Sequence, residues 1–270
     1  MLYYFSMFWK FWERKKVGLV LSGGVARDIA HIGVLKVLEA HKVPMDLIVG
    51  VSSGSLVGAA YAAGMELSLI EEISLRIRWA DLIRITFFRP GFISPKAIED
   101  FVVRYLGEKR FSDLKIPFAV VATDLFTGEA VTISEGKVAS AVAASCAFPG
   151  VFAPEEREGR LLVDGGLAQN VPVEVAKKMG ADFVIASDVI PSKLFHLPRD
   201  PLQVLGRSVD LILKKLSREE AKQADVLLEL SVEEDIWHLD LQKAKKLIMA
   251  GEGAAHRALN KIKRSLRLRS

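Results

Sequence analysis

The sequence contains a single cysteine, Cys146, in 270 residues. No disulfide can form within the chain, which excludes a cross-linked secreted scaffold and suits a reducing compartment. Zinc-ligand spacing, internal repeats and low-complexity tracts are all missing, and no Pro/Ser/Gly-rich linker interrupts the chain, so one domain is expected over residues 17–256. Disorder is excluded as well: half of the residues are hydrophobic, enough to bury a large core. The 37 basic and 33 acidic residues nearly balance, but unevenly along the chain. Residues 1–16 carry +3 and residues 257–270 carry +6, which leaves the body at −5. An acidic body with basic ends does not suggest nucleic acid as a partner. Basic ends beside apolar residues point to an anionic membrane surface.

No secretory signal is expected in the first residues, because the charges there follow the apolar run and no small-residue cleavage site appears. What stands there is aromatic: seven of the chain's 22 aromatic residues fall within the first twelve, followed by Arg14, Lys15 and Lys16. The segment is too short to span a bilayer and is expected to lie at the lipid interface. At the other end Leu259, Ile262 and Leu266 recur at helical spacing among six basic residues, either as a second lipid-facing stripe or as a solvated helix end. Together these features predict a cytoplasmic protein held peripherally on the membrane.

Charge is absent from one long stretch, residues 47–65. It has the length of a membrane span, and Gly50, Gly54 and Gly58 repeat the spacing of paired membrane helices. Against a span stand Ser52, Ser53 and Ser55 in its middle and the β-branched start Leu47-Ile48-Val49-Gly50-Val51. The run divides better into a strand, a sharp turn and a small-residue helix over 56–63. The same strand-then-helix order recurs elsewhere. Strands are predicted over 17–21, 47–51, 118–124, 130–133, 161–163 and 183–187, and helices over 29–40, 66–84, 95–106, 138–146 and 171–179. Such alternation implies a largely parallel sheet covered on both faces, with functional residues where strands end and helices begin.

Three strings fall at such places. Gly50-Val51-Ser52-Ser53-Gly54 fits G-x-S-x-G at a strand-to-helix turn, which would hold the Ser52 hydroxyl clear of the sheet between Gly50 and Gly54. No histidine stands in a triad context; His31, on the first helix, suits packing or hydrogen bonding better. The alternative base is Asp164, which closes an apolar strand before Gly165 and Gly166; partial burial would raise its pKa toward a useful range. Taken alone, an aspartate in such a turn reads as structural. The third string, Leu21-Ser22-Gly23-Gly24-Val25-Ala26-Arg27, is a glycine turn entering a helix, whose Gly23, Gly24 and Val25 amides would face an anion or oxyanion. Neither G-x-x-x-x-G-K-[ST] nor G-x-G-x-x-G is present there, which weakens phosphate as the ligand. Phe87-Phe88-Arg89-Pro90-Gly91-Phe92 is an apolar loop that would line an acyl pocket, touch a membrane or serve as a buried connector.

Together these strings resemble the patatin-like phospholipases, the Ser–Asp lipid acyl hydrolases. The resemblance runs from about residue 17 to 189. It also takes in His31-Ile32-Gly33-Val34-Leu35, Ala144-Ser145-Cys146-Ala147-Phe148-Pro149-Gly150, Asn170 with Pro172, and Ile185-Ala186-Ser187-Asp188-Val189. It implies a three-layer α/β/α sandwich, a Ser52–Asp164 dyad with no catalytic histidine, backbone amides of Gly23 and Gly24 as the oxyanion site, lipid ester substrates, and no metal or other cofactor. Arg27 is assigned to structure or headgroup contact. Three positions depart from the family pattern: Val25 stands where a third glycine is usual, Ala143 where a basic residue often sits, and Asp28 where glycine usually follows the arginine. Asp28 either opposes the charge of the oxyanion, in which case Asp28→Gly speeds turnover, or caps the next helix through the amides of Ala30 or His31. The expected function is a membrane-surface serine esterase of phospholipase or lysophospholipase type. The alternative is a catalytically weakened lipid-binding or regulatory protein with the same fold. Acyl preference and oligomeric state are not legible in the sequence.

Overall fold

A computed structural model describes residues 14–82, 93–232 and 234–268. The aromatic segment up to residue 13 and the loop at 87–92 lie outside them. In chain order the elements are β1 (Val17–Leu21), a 3-10 turn (Val25–Ile29), α1 (Ala30–Ala40), β2 (Leu47–Val51), α2 (Ser53–Ala62), α3 (Leu67–Arg76), α4 (Trp79–Leu82) and α5 (Lys96–Leu106). They continue with β3 (Phe118–Asp124), β4 (Ala130–Ile133), α6 (Val138–Ser145), β5 (Glu155–Arg157), β6 (Arg160–Asp164), α7 (Gly166–Gln169), α8 (Val173–Lys178), β7 (Phe183–Asp188), α9 (Pro201–Ala221), β8 (Val226–Glu229) and α10 (Ala244–Leu266).

The strands form one sheet in the order β5-β6-β3-β2-β1-β7-β8, with β4 also paired to β3. From β3 to β8 the neighbours are parallel, while β4, β5 and β6 run antiparallel. Strand alternation sorts the core into two layers. Leu19, Leu21, Ile48, Val120 and Ile185 pack on one side with helices α1, α2, α6 and α10. Val20, Val49, Val51, Val121 and Val184 pack on the other with α8 and the end of α9. Both faces are covered, so the parallel strands are apolar throughout. This is the expected α/β/α sandwich.

The expected helix over 66–84 is broken. Ile77 is extended at φ −59°, ψ 139°, and Asp81 restarts the chain by accepting the Arg78 N–H at 2.9 Å. The uncharged run 47–65 supplies a buried strand and α2, and among the described residues no helix is long and apolar enough to cross a membrane. Nor does the basic C-terminal region begin a separate segment at 257. Helix α10 runs through it, and Leu259 and Ile262 are buried in the core, so that apolar stripe faces the protein rather than lipid. Likewise Arg14 is tied to the body by two 2.6 Å contacts with Asp46.

Candidate active site

Strand register brings the candidate residues together. Val51, the last residue of β2, pairs with Val121 on β3, and the next β3 residue, Ala122, pairs with Asp164 on β6. Ser52 and Asp164 thus leave the sheet at the same level, two strand spacings apart, about 10 Å between backbones. Their side chains close that gap: the Ser52 hydroxyl donates to Asp164 Oδ2 at 2.6 Å. Antiparallel β6 makes this possible by running back toward the level at which β2 ends.

Each partner is held by its neighbours. Ser52 sits at φ 51°, ψ −136°, a strained conformation for a non-glycine residue of the kind found at sharp strand-to-helix turns. Its N–H donates to Ser145 Oγ at 2.7 Å, and Ser145 in turn donates to the Val121 carbonyl at 2.6 Å. Ser55 Oγ donates to the Ser52 carbonyl at 2.5 Å. Gly54 has no room for a side chain, since a Cβ there would meet the Ser22 carbonyl oxygen at 2.2 Å; at Gly50 it would meet Ser55 Cα at 2.6 Å. On the other side Asp164 Oδ1 accepts the Gly166 N–H at 2.8 Å, and the Asp164 carbonyl accepts from Thr123 Oγ1 at 2.8 Å. A Cβ on Gly165 would strike the Val121 carbonyl oxygen at 2.0 Å.

Burial raises the Asp164 pKa from 3.8 to about 6, against the hydrogen bonds from Ser52 and Gly166. The pair lines a cavity of about 190 Å3, whose walls are largely apolar and include Leu56, Val57, Ile98, Phe101 and Val102. Cys146 lines it too, but burial and the nearby Asp164 charge push its thiol well above 9.0, so it stays protonated and weakly nucleophilic. Among the described residues no three His, Cys, Asp or Glu side chains are grouped to hold a metal ion.

A family model for patatin-like phospholipases matches residues 19–177, more than half of the chain. The chain belongs to the patatin-like phospholipase family. It is 34% identical over 183 residues to patatin-like phospholipase domain-containing protein 6 of Mus musculus. Against lysophospholipase NTE1 of Coccidioides immitis it is 33% identical over 181 residues. These matches take in 64% and 65% of this chain but only 13% and 12% of those proteins. The crystal structure of VipD from Legionella pneumophila superposes with a TM-score of 0.63 at 15% identity, over 92% of this chain and 67% of that one, and shares the fold.

The three departures from the patatin-like pattern have distinct structural settings. Ala143 is buried on α6. Val25 adopts φ 58°, a left-handed conformation that glycine takes freely and a β-branched residue does not. Asp28 does not cap the helix through Ala30 or His31; its Oδ2 accepts the Gly24 N–H at 2.9 Å. The oxyanion expectation changes with it. The Gly23 N–H is already bonded to Asn170 Oδ1 at 3.0 Å and that of Gly24 to Asp28, which leaves Val25 of the three expected amides.

Arg27 does not face the cavity mouth. It is 2% exposed and forms two 3.0 Å contacts with Asp210, a structural role. His31 is fully buried, with Nδ1 at 2.9 Å from Ser187 Oγ and Nε2 at 3.0 Å from the Ser22 carbonyl. Sequence reasoning gave no role to Ser145 or Asn170, although both stand in the strings that carry the family resemblance. Each acts on a residue far away in the chain, and no local spacing signals that.

Proposed function

We propose that this protein is a serine lipid acyl hydrolase in which Ser52 is the nucleophile and Asp164 its base. The observation that carries the reading is the 2.6 Å Ser52–Asp164 hydrogen bond at the wall of an apolar cavity. Ser52 Oγ attacks the ester carbonyl carbon and its proton passes to Asp164. The tetrahedral oxyanion collapses, the alcohol leaves with the proton returned by Asp164, and the acyl chain stays on Ser52. Asp164 then takes a proton from water, which attacks the acyl-enzyme. The N–H groups of Val25 and Ser53 are the available oxyanion donors, since each opens a helical turn where amides lack intrahelical acceptors.

The apolar walls suit an acyl chain, and the names of the relatives favour phospholipid or lysophospholipid esters. Action at an anionic membrane surface is supported by the basic ends of the chain. The competing reading, a lipid-binding protein without turnover, draws on the Asp28 carboxyl at the Gly24 amide. Labelling with a fluorophosphonate probe separates them: the hydrolase labels, and a protein that only binds lipid does not. Asp164 accepts a proton only when ionised, so the rate of labelling and of lysophospholipid hydrolysis should fall tenfold per pH unit below a midpoint near its raised value of about 6. A rate independent of pH between about 4.5 and 7 would remove Asp164 as the base.

A further inference from the structure

Asp28 sets a problem of proton counting. The residue is 1% exposed and lines the same cavity as Ser52 and Asp164. Besides the Gly24 N–H, its Oδ2 is in close hydrogen-bond contact with Ser53 Oγ. That hydroxyl is also 3.0 Å from the Val25 carbonyl oxygen. Ser53 has one proton to give, while a carbonyl and a carboxylate have none. With Asp28 ionised, one of these two oxygen pairs would face lone pair to lone pair. A proton on Asp28 completes both bonds: Asp28 donates to Ser53 Oγ, and Ser53 donates to Val25.

The other carboxyl oxygen agrees. Asp28 Oδ1 is buried without a hydrogen-bond partner among the described residues. His31 Nε2 is 3.4 Å away but lies closer to the Ser22 carbonyl oxygen, at 3.0 Å, which takes its hydrogen if Nε2 carries one. That carbonyl can only accept, and Ser187 can donate to Nδ1, so a neutral ring satisfies both contacts. An ionised Oδ1 would be an unsatisfied buried charge, far costlier than a neutral one. The titratable groups facing Asp28 are His31, Asp164 and Cys146. Burial raises its proton affinity and outweighs the opposing influence of His31, Ser53 and Gly24; a charged Asp164 nearby disfavours a second negative charge.

We propose that Asp28 works as a neutral carboxylic acid that fastens the Gly24–Val25 turn to Ser53, positioning the two backbone donors that flank Ser52, and that its ionisation at high pH disables the site. This rests on Ser52 as the nucleophile. Ionisation removes the proton that completes the chain, so that one of the Asp28–Ser53 and Ser53–Val25 bonds is lost, and puts negative charge where the oxyanion must form.

The test is the rate of fluorophosphonate labelling and of nitrophenyl ester hydrolysis from about pH 5 to about pH 10 for wild type, Asp28→Gly and Asp28→Asn. Wild type is expected to show an alkaline fall in rate in addition to the acid limb of Asp164. Asp28→Gly should lose about a hundredfold, the scale of misplaced donors. Asp28→Asn cannot ionise and should abolish the alkaline limb; it should recover part of that loss, because its amide nitrogen can donate to Ser53 but cannot accept the Gly24 N–H. An alkaline limb that persists in Asp28→Asn, or both variants outpacing wild type, overturns the proposal, the second in favour of a carboxylate that opposes the oxyanion. A wild-type rate flat to about pH 10 overturns it without any variant. Ser52→Ala is the control: labelling that survives there refutes the nucleophile itself, whereas labelling that disappears while the Asp28 results fail refutes only the role of Asp28.

Discussion

Ser52→Ala is expected to abolish fluorophosphonate labelling and to lower ester hydrolysis by roughly 10^4-fold or more, the scale seen when a nucleophile that works as a unit with its base is removed. Asp164→Asn should fall by roughly 10^3-fold, because an amide in the same place can hold the Ser52 hydroxyl but cannot take its proton. The two losses should not add: once the hydroxyl is gone, the carboxyl has no proton to receive, so the double variant should resemble Ser52→Ala. Cys146→Ser should label as wild type does, since that thiol stays protonated. Intact thermal unfolding in each variant ties the loss to chemistry rather than folding. Labelling that persists in Ser52→Ala would move the nucleophile elsewhere.

The second large effect is on stability. Arg27→Met should lower it by about 3–5 kcal/mol, the usual consequence of leaving one buried charge without its partner, and the melting temperature by roughly 10 °C. Arg27 binds Asp210 through both guanidinium NH groups and donates its Nε–H to the Ile236 carbonyl at 2.9 Å. His238 Nε2 also meets Asp210, at 2.9 Å. Burial alone would raise Asp210, but the His238 hydrogen bond and the Arg27 charge outweigh it and hold the carboxyl below its ordinary 3.8. Its folded-state pKa being depressed, Asp210 stabilises the fold above the unfolded value and loses that contribution as pH falls through the folded one. The stability gap between wild type and Arg27→Met should therefore narrow on acidification, as urea titrations at neutral and acid pH would show. Removing both charges in Arg27→Met/Asp210→Leu should restore much of the loss. A single variant as stable as wild type would mean that the pair is not buried as described.

What the sequence disclosed follows from how local each signal is. Strands such as Val17–Leu21 and Leu47–Val51 are continuous apolar runs between polar turns, and the structure has them with those bounds. Ser52 was legible because its turn, glycines and helix are consecutive. From its own string Asp164 was legible only as a strand end, and its pairing with Ser52 came from the family resemblance, since that proximity depends on β6 being antiparallel, which no residue in β6 encodes. Strands β5 and β8, three and four residues long, carry too few residues to show a period. The role of Asp28 could not be settled either, because its partners Gly24 and Ser53 belong to different turns.

The placement of Asp164 also bears on how the molecule breathes. The carboxyl is carried by a marginal hairpin, β5 and β6, which meets the rest of the sheet at three positions on β3. Unzipping so short a seam requires less than melting the parallel centre. Each such excursion would withdraw the proposed proton acceptor while leaving the hydroxyl in place, and amide exchange in the hairpin would report the fraction of molecules in that state.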